Sequence, residues 1–235
     1  MYTCQDREVN VPPSTPERRA PLDRSRVLQA GIELADRDGF EALSMRSLAA
    51  ELGVVPMALY KHVAGRDDLV AGMIDTLVEG YGTPPADTPW RDAVRAQILA
   101  ARTTLDAHPW LRTAIESSTR RTPAVLSHMD AVAGRFIDGG VSVDLTHHAM
   151  HALGHRIWGF SPEAFDEPDA DAPPPDPELM RRAAQAYPHV FAIAFDAATR
   201  NPSGACDDQS EFEFTLDLLL DAFERLHQSG WVSRA

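Results

Sequence analysis

A chain of 235 residues, 44% hydrophobic and 24% charged, has the composition of a globular protein large enough to bury a substantial core. Two cysteines, Cys4 and Cys206, are too few for a disulfide framework; with no apolar signal-peptide core and no apolar run near the roughly 18 residues that span a bilayer, the expected setting is a reducing cytoplasm without membrane attachment. The net charge of −13 excludes a protein that coats nucleic acid through bulk attraction.

Residues 1–22, with Pro12, Pro13, Pro16 and Pro21, read as a disordered arm. From Asp23, apolar residues at helical spacing (Val27, Ala30, Gly31, Leu34, Ala35) predict a first helix stopped by Gly39. Ser44 can cap a second, with Ser47 in place of the Glu or Gln of a full capping box, and Gly53 ends it after about two turns. A third helix is expected from about Pro56 to His62, proline being tolerated in a first turn. A fourth starts near Arg66, with Asp67 and Asp68 placed favourably in its first turn. The glycines and prolines of "EGYGTPPADTP" then mark a boundary between a unit at 23–80 and a larger one at 88–230.

Trp90, Val94, Ile98, Ala101 and Leu105 form one stripe of a long helix that ends at His108-Pro109. Helices near 110–117 and 123–138 follow, the latter broken by Gly139-Gly140, and another runs from Val143 to about Phe160. The acidic, proline-rich "SPEAFDEPDADAPPPDPE" is a loop. Two further helices are expected at about 178–197 and 209–228. No segment alternates at period two, so the fold class is all-α.

Helix 209–228 carries two apolar seams. Phe212, Leu216, Leu219, Phe223 and Leu226 form one; Phe214, Leu218 and Ala222 form the other, with Asp217, Asp221 and Glu224 between them. Two seams need two partners: a central position in a monomer, or one face on its own core and one on a second subunit.

The segment "SMRSLAAELGVVPMALYKHV", Ser44 to Val63, has the layout of a helix-turn-helix, two short helices joined at a glycine. Leu48, Ala49, Leu52, Val54, Leu59 and Val63 are spaced to form the small core that fixes the angle between them. In this region "GIELADRDGFEALSMRSLAAELGVVPMALYKHVAGRDDLV" strongly resembles the DNA-binding domain of the TetR family of transcriptional regulators. Downstream, "HPWLRTAI" and "FEFTLDLLLDAFERL" resemble the tetracycline-repressor-type C-terminal domain, a ligand-binding and dimerising bundle. The resemblance implies an N-terminal three-helix helix-turn-helix DNA-binding domain followed by a larger helical ligand-binding and dimerisation domain. It implies a homodimeric repressor, double-stranded operator DNA as partner, an unknown small-molecule effector, and no catalysis.

Charge distribution agrees with that division. Residues 24–68 carry 6 basic and 7 acidic groups, whereas residues 69–235 carry 13 and 24, so phosphate is tolerated only near the N-terminus. Candidate DNA contacts are Ser44 and Arg46 at the start of the first helix of the motif, Met57, Ala58, Tyr60, Lys61 and His62 on the second, and Arg66 beyond it. A tyrosine hydroxyl and a lysine suit phosphate, and an arginine suits phosphate or a guanine edge. Val55, Pro56, Met57 and Ala58 offer no directional side-chain hydrogen bonds but can meet thymine methyls. Arg18, Arg19, Arg24 and Arg26 are further basic candidates of the arm.

His147, His148, His151 and His155 fall with Asp144 and Trp158 on one arc of a helix. Lining of a small-molecule pocket, a solvated or intersubunit face, and a metal site all fit that arrangement. Candidate pocket residues are His108, Trp110, His128, Met129, His151, His155, Trp158 and Phe191. The chain has no H-E-x-x-H, P-loop or G-x-S-x-G, and "GYGTPP" lacks the third glycine of a dinucleotide loop, so no cofactor is expected. A helical metal- or small-molecule-binding protein or enzyme without DNA binding is the alternative.

Overall fold

The computed structural model describes residues 21–118, 121–158, 176–200 and 208–233, with the backbone alone at 155–158, 190, 194, 197–200 and 208. The arm at 1–20, most of the acidic proline-rich loop, and the side chains of His155 and Trp158 lie outside the described residues. Eleven α-helices and no strand are found among the described residues. They fall into two compact units, Met1–Leu69 and Val70–Ala235, the division lying within one helix.

In the first unit, α1 (Arg24–Asp38) is capped by Asp23, whose carboxylate accepts from the Arg26 amide at 2.8 Å. It turns Val27, Leu28, Ile32 and Leu34 into the core. Gly39 ends it at φ +86, a conformation that disfavours any side chain. α2 (Met45–Leu52) begins with a reciprocal box. The Ser44 hydroxyl accepts from the Ser47 amide at 3.0 Å, and the Ser47 hydroxyl accepts from the Ser44 amide at 2.9 Å. A serine at this position therefore does the work of the longer Glu or Gln.

After Gly53 in the left-handed region comes α3 (Pro56–Leu59), then α4 (Arg66–Glu79). α3 is shorter than the 56–62 expected from sequence. Tyr60 caps it, and the chain continues as a turn in which the amides of His62 and Val63 both donate to the Leu59 carbonyl. Leu43, Leu48, Ala49, Leu59, Val63 and Leu69 are all at most 2% exposed, and they fix the geometry of the motif.

The second unit contains the rest of α4 with α5 (Trp90–Ala107), α6 (Trp110–Ser117), α7 (Pro123–Asp138), α8 (Val143–Trp158), α9 (Pro177–Ala186), α10 (Pro188–Arg200) and α11 (Asp208–Gln228). α5 packs against α7 and α11, and α8 against α7 and α11. The sequence stripe on α5 is observed with one addition, since Gln97 is buried beside Val94 and Ile98. α7 ends against Trp90, whose ring lies 5.0 Å from that of Phe136. Gly139 permits this approach, because a Cβ there would lie 2.5 Å from the indole.

Two expectations need correction. The single helix expected at 178–197 is two, α9 and α10, parted at Tyr187. Pro188 forces the preceding residue out of helical geometry, and Tyr187 lies at φ −129, ψ 60. The inner seam of α11 is Phe212, Leu216, Leu220 and Phe223, all buried. Leu220 is fully buried where Leu219 was expected, while Leu219 and Leu226 are only half-buried. The intervening acids are not idle: Arg95 pairs with Glu213 and Asp217, and Arg91 with Asp221, tying α5 to α11. The second seam stands open, with Phe214 62% and Leu218 50% exposed.

Candidate nucleic-acid interface and effector cavity

α3 and the turn after it bury Leu59 and Val63 and leave Val55, Met57, Tyr60 and Lys61 outward. Val55 and Met57 are about 70% exposed and Tyr60 is 48% exposed, high values for large apolar side chains. Ser44, Arg46 and Lys61 are also exposed, and Ala58 and His62 are half-buried. The unit thus presents apolar groups at the start of α3 and polar groups just beyond it.

Two arginines read from sequence as DNA candidates have structural partners. Arg24 forms a bidentate pair with Asp68 and donates to the His62 carbonyl at 2.7 Å. Arg66 donates through Nε to the Leu43 carbonyl at 3.0 Å, its guanidinium 4.9 Å from the Phe40 ring centroid. Both fasten the turn that follows α3. Asp68 receives the Ala64 amide as well, and Arg24 followed by that amide holds its carboxyl below the usual carboxylate range.

In the second unit a cavity of about 380 Å³ opens among α4 to α8. Its walls are Val78, Ile98, Ala101, Ile115, Val125, Met129, Val132, Met150 and Leu153, with Tyr81, Glu116, Arg121, His128, His151 and Gly154. Two side chains outside the lining tie α7 to α4 and to the loop that follows it. Asp75 accepts from the Ala124 amide at 3.0 Å, and Arg135 donates to the carbonyls of Pro84 and Pro85. The size and apolar lining are those of a small-molecule site.

Of the pocket residues read from sequence, the structure brings His128, Met129 and His151 to this cavity. His108 caps α5, and Trp110 is a core residue, 7% exposed, at 6.3 Å from the His108 ring. Neither belongs to the described lining, nor does the half-buried Phe191 of α10. Tyr81, Glu116, Arg121 and Met150 line the cavity and were missed. Tyr81 sits in the glycine-proline loop that reads as a boundary, and no periodicity marks such a position.

The imidazoles of His147, His148 and His151 are exposed, His147 lying 4.7 Å from His151 and 5.3 Å from His148 between ring centroids. His148 meets Trp231 edge-on, and Asp144 accepts from the amide and hydroxyl of Ser233. Among the described residues no group of three potential ligands is placed to hold a metal ion, and no helix is long and apolar enough to cross a membrane.

A helix-turn-helix unit followed by a cavity-bearing helical unit defines a class, that of two-part all-helical DNA-binding regulators. The family model described as the tetracyclin repressor-like C-terminal domain matches residues 83–226, and that of bacterial regulatory proteins, tetR family, matches residues 27–73. The chain belongs to the TetR family. Over 113 residues it is 34% identical to the HTH-type transcriptional repressor DrrR1 of Streptomyces coeruleorubidus, covering 47% of this chain and 42% of that protein, so it spans less than half of that relative's length. It is 27% identical over 209 residues to tetracycline repressor protein class G of Vibrio anguillarum, covering 87% of this chain and 95% of that one. A crystal structure of a possible TetR family transcriptional regulator from Streptomyces coelicolor is similar at TM-score 0.66 and 27% identity, covering 87% of this chain and all of that one.

Proposed function

We propose that the protein is a ligand-responsive repressor that binds a palindromic operator as a homodimer and releases it when a small molecule enters the cavity of the second unit. The observation that carries the DNA reading is the outward face of the motif. An exposed Val55 and Met57, followed by Tyr60 and Lys61, make little sense in water and good sense in a major groove. Arg46 and Ser44 approach the same duplex from α2, where the first helix of the motif crosses the backbone.

The open seam of α11 supports the homodimer. Phe214 and Leu218, four residues apart on α11, are large apolar groups exposed on one face of that helix. A two-fold axis lets one such patch cover its own copy. Release follows if the effector prefers one arrangement of the subunits over another, since equal affinity for both shifts nothing. α4 is the natural lever: one continuous helix carries Leu69 in the core of the first unit and Val78 in the cavity wall.

Selection of bound duplexes from a random pool tests this reading. A two-fold-symmetric site is expected, with recognition helices in successive major grooves about 34–36 Å apart. Equal affinity for selected and random duplexes at about 0.15 M salt would sink it.

A further inference from the structure

The Tyr81 hydroxyl is shielded from solvent and has no hydrogen-bond partner among the described residues. Tyr81 lines the cavity. A buried hydroxyl without a partner is a standing destabilisation, relieved when an acceptor enters. Beside it His128 meets the phenol ring edge-on, with centroids 5.0 Å apart and planes at 83°. Burial pushes the Tyr81 phenol up to about 12 and draws His128 below its ordinary value, so both are neutral at pH 7. Among the described residues, the lining's permanently charged side chains are Glu116 and Arg121; both are exposed, and Arg121 already donates to the Ile115 carbonyl at 3.0 Å.

Each alternative occupant meets an obstacle. A carboxylate or ammonium brought beside Tyr81 and His128 would surrender hydration to two neutral groups, since Glu116 and Arg121 of the described lining are exposed. A plain hydrocarbon would fill the volume and leave the hydroxyl unmet. We infer that the cavity takes an uncharged, apolar molecule with a carbonyl or ether oxygen that accepts a hydrogen bond from the Tyr81 hydroxyl. The assignment rests on reading this cavity as the effector site. Tyr81 follows α4 by two residues, so the same hydrogen bond bears directly on the helix proposed as the lever.

Three probes of nearly one shape separate the terms: fluorene, fluorenone and a fluorenone carboxylate, titrated calorimetrically into the full chain. Fluorenone is expected to bind the parent about fivefold to tenfold tighter than fluorene, the increment of one net hydrogen bond. In Tyr81→Phe, a substitution that removes one oxygen, the two neutral probes should bind alike, with fluorene unchanged. The carboxylate should be weakest in both proteins. A preference for fluorenone that survives in Tyr81→Phe overturns the assignment, as does tightest binding by the carboxylate or no binding of any probe. Met129→Trp, which crowds the cavity from an exposed position, keeps the two readings apart. Binding that persists in Met129→Trp means the cavity is not the site. Binding lost there but indifferent to Tyr81→Phe removes only the ligand class.

Discussion

Arg24 and Asp68 are joined by two hydrogen bonds, 2.8 and 3.0 Å, between the first residue of α1 and the first turn of α4. The same guanidinium reaches the His62 carbonyl, so one side chain clamps both ends of the turn that carries Tyr60 and Lys61. The pair is 45% and 37% exposed, which limits its worth in water. Arg24→Ala should therefore lower stability by only about 0.5–1 kcal/mol in urea unfolding. Asp68→Asn should do the same, with the double variant less destabilised than the sum. Because the folded-state Asp68 value is depressed, its contribution is present above the ordinary carboxylate value and lost as pH falls through the depressed one. The stability difference between parent and Asp68→Asn should accordingly vanish in strong acid. A difference that persists there would place the effect elsewhere.

Phosphate and base contacts should separate by their salt and sequence dependence. Lys61→Ala is expected to weaken all duplexes alike and to reduce the slope of log affinity against log salt by about one. Met57→Ala should leave that slope unaltered. If Val55 and Met57 meet thymine methyls, replacing operator thymines by deoxyuridine should weaken the parent and leave Met57→Ala nearly indifferent at the contacted position. Gel shifts on matched duplexes read all three effects.

The open seam of α11 predicts the assembly. A charge at Phe214 or Leu218, as in Phe214→Glu or Leu218→Glu, should move the mass found by light scattering from dimer toward monomer at micromolar concentration. Circular dichroism should stay unchanged, because both side chains lie outside the core of the protomer. A parent protein that is already monomeric would refute the dimer itself.

Two glycines of one region should respond in opposite directions to alanine. Gly139→Ala sets a Cβ 2.5 Å from the Trp90 ring, and displacing that indole should cost about 1–3 kcal/mol in thermal unfolding. Gly134 lies inside α7, and a methyl group there would meet nothing within 4 Å. Gly134→Ala should be neutral or stabilising by up to about 1 kcal/mol, through helix propensity and lost freedom of the unfolded chain.

Local chemistry was legible in the sequence by itself. Ser44 as a cap, Gly39 and Gly53 as stops, the stripe on α5 and the buried residues of the helix-turn-helix follow from hydrogen bonding and periodicity among near neighbours, which the chain order preserves. Even the break at Tyr187 was written there, in the proline that follows it. Tertiary structure alone decided what depends on distant residues meeting. It took Arg24 and Arg66 into the scaffold of the first unit, placed Leu220 rather than Leu219 in the core, and put Tyr81 beside His128 across 47 residues of chain. A cavity belongs to no segment; it is the space several helices fail to fill, and the Tyr81 hydroxyl is seen to lack a partner among the described residues only once they are assembled around it.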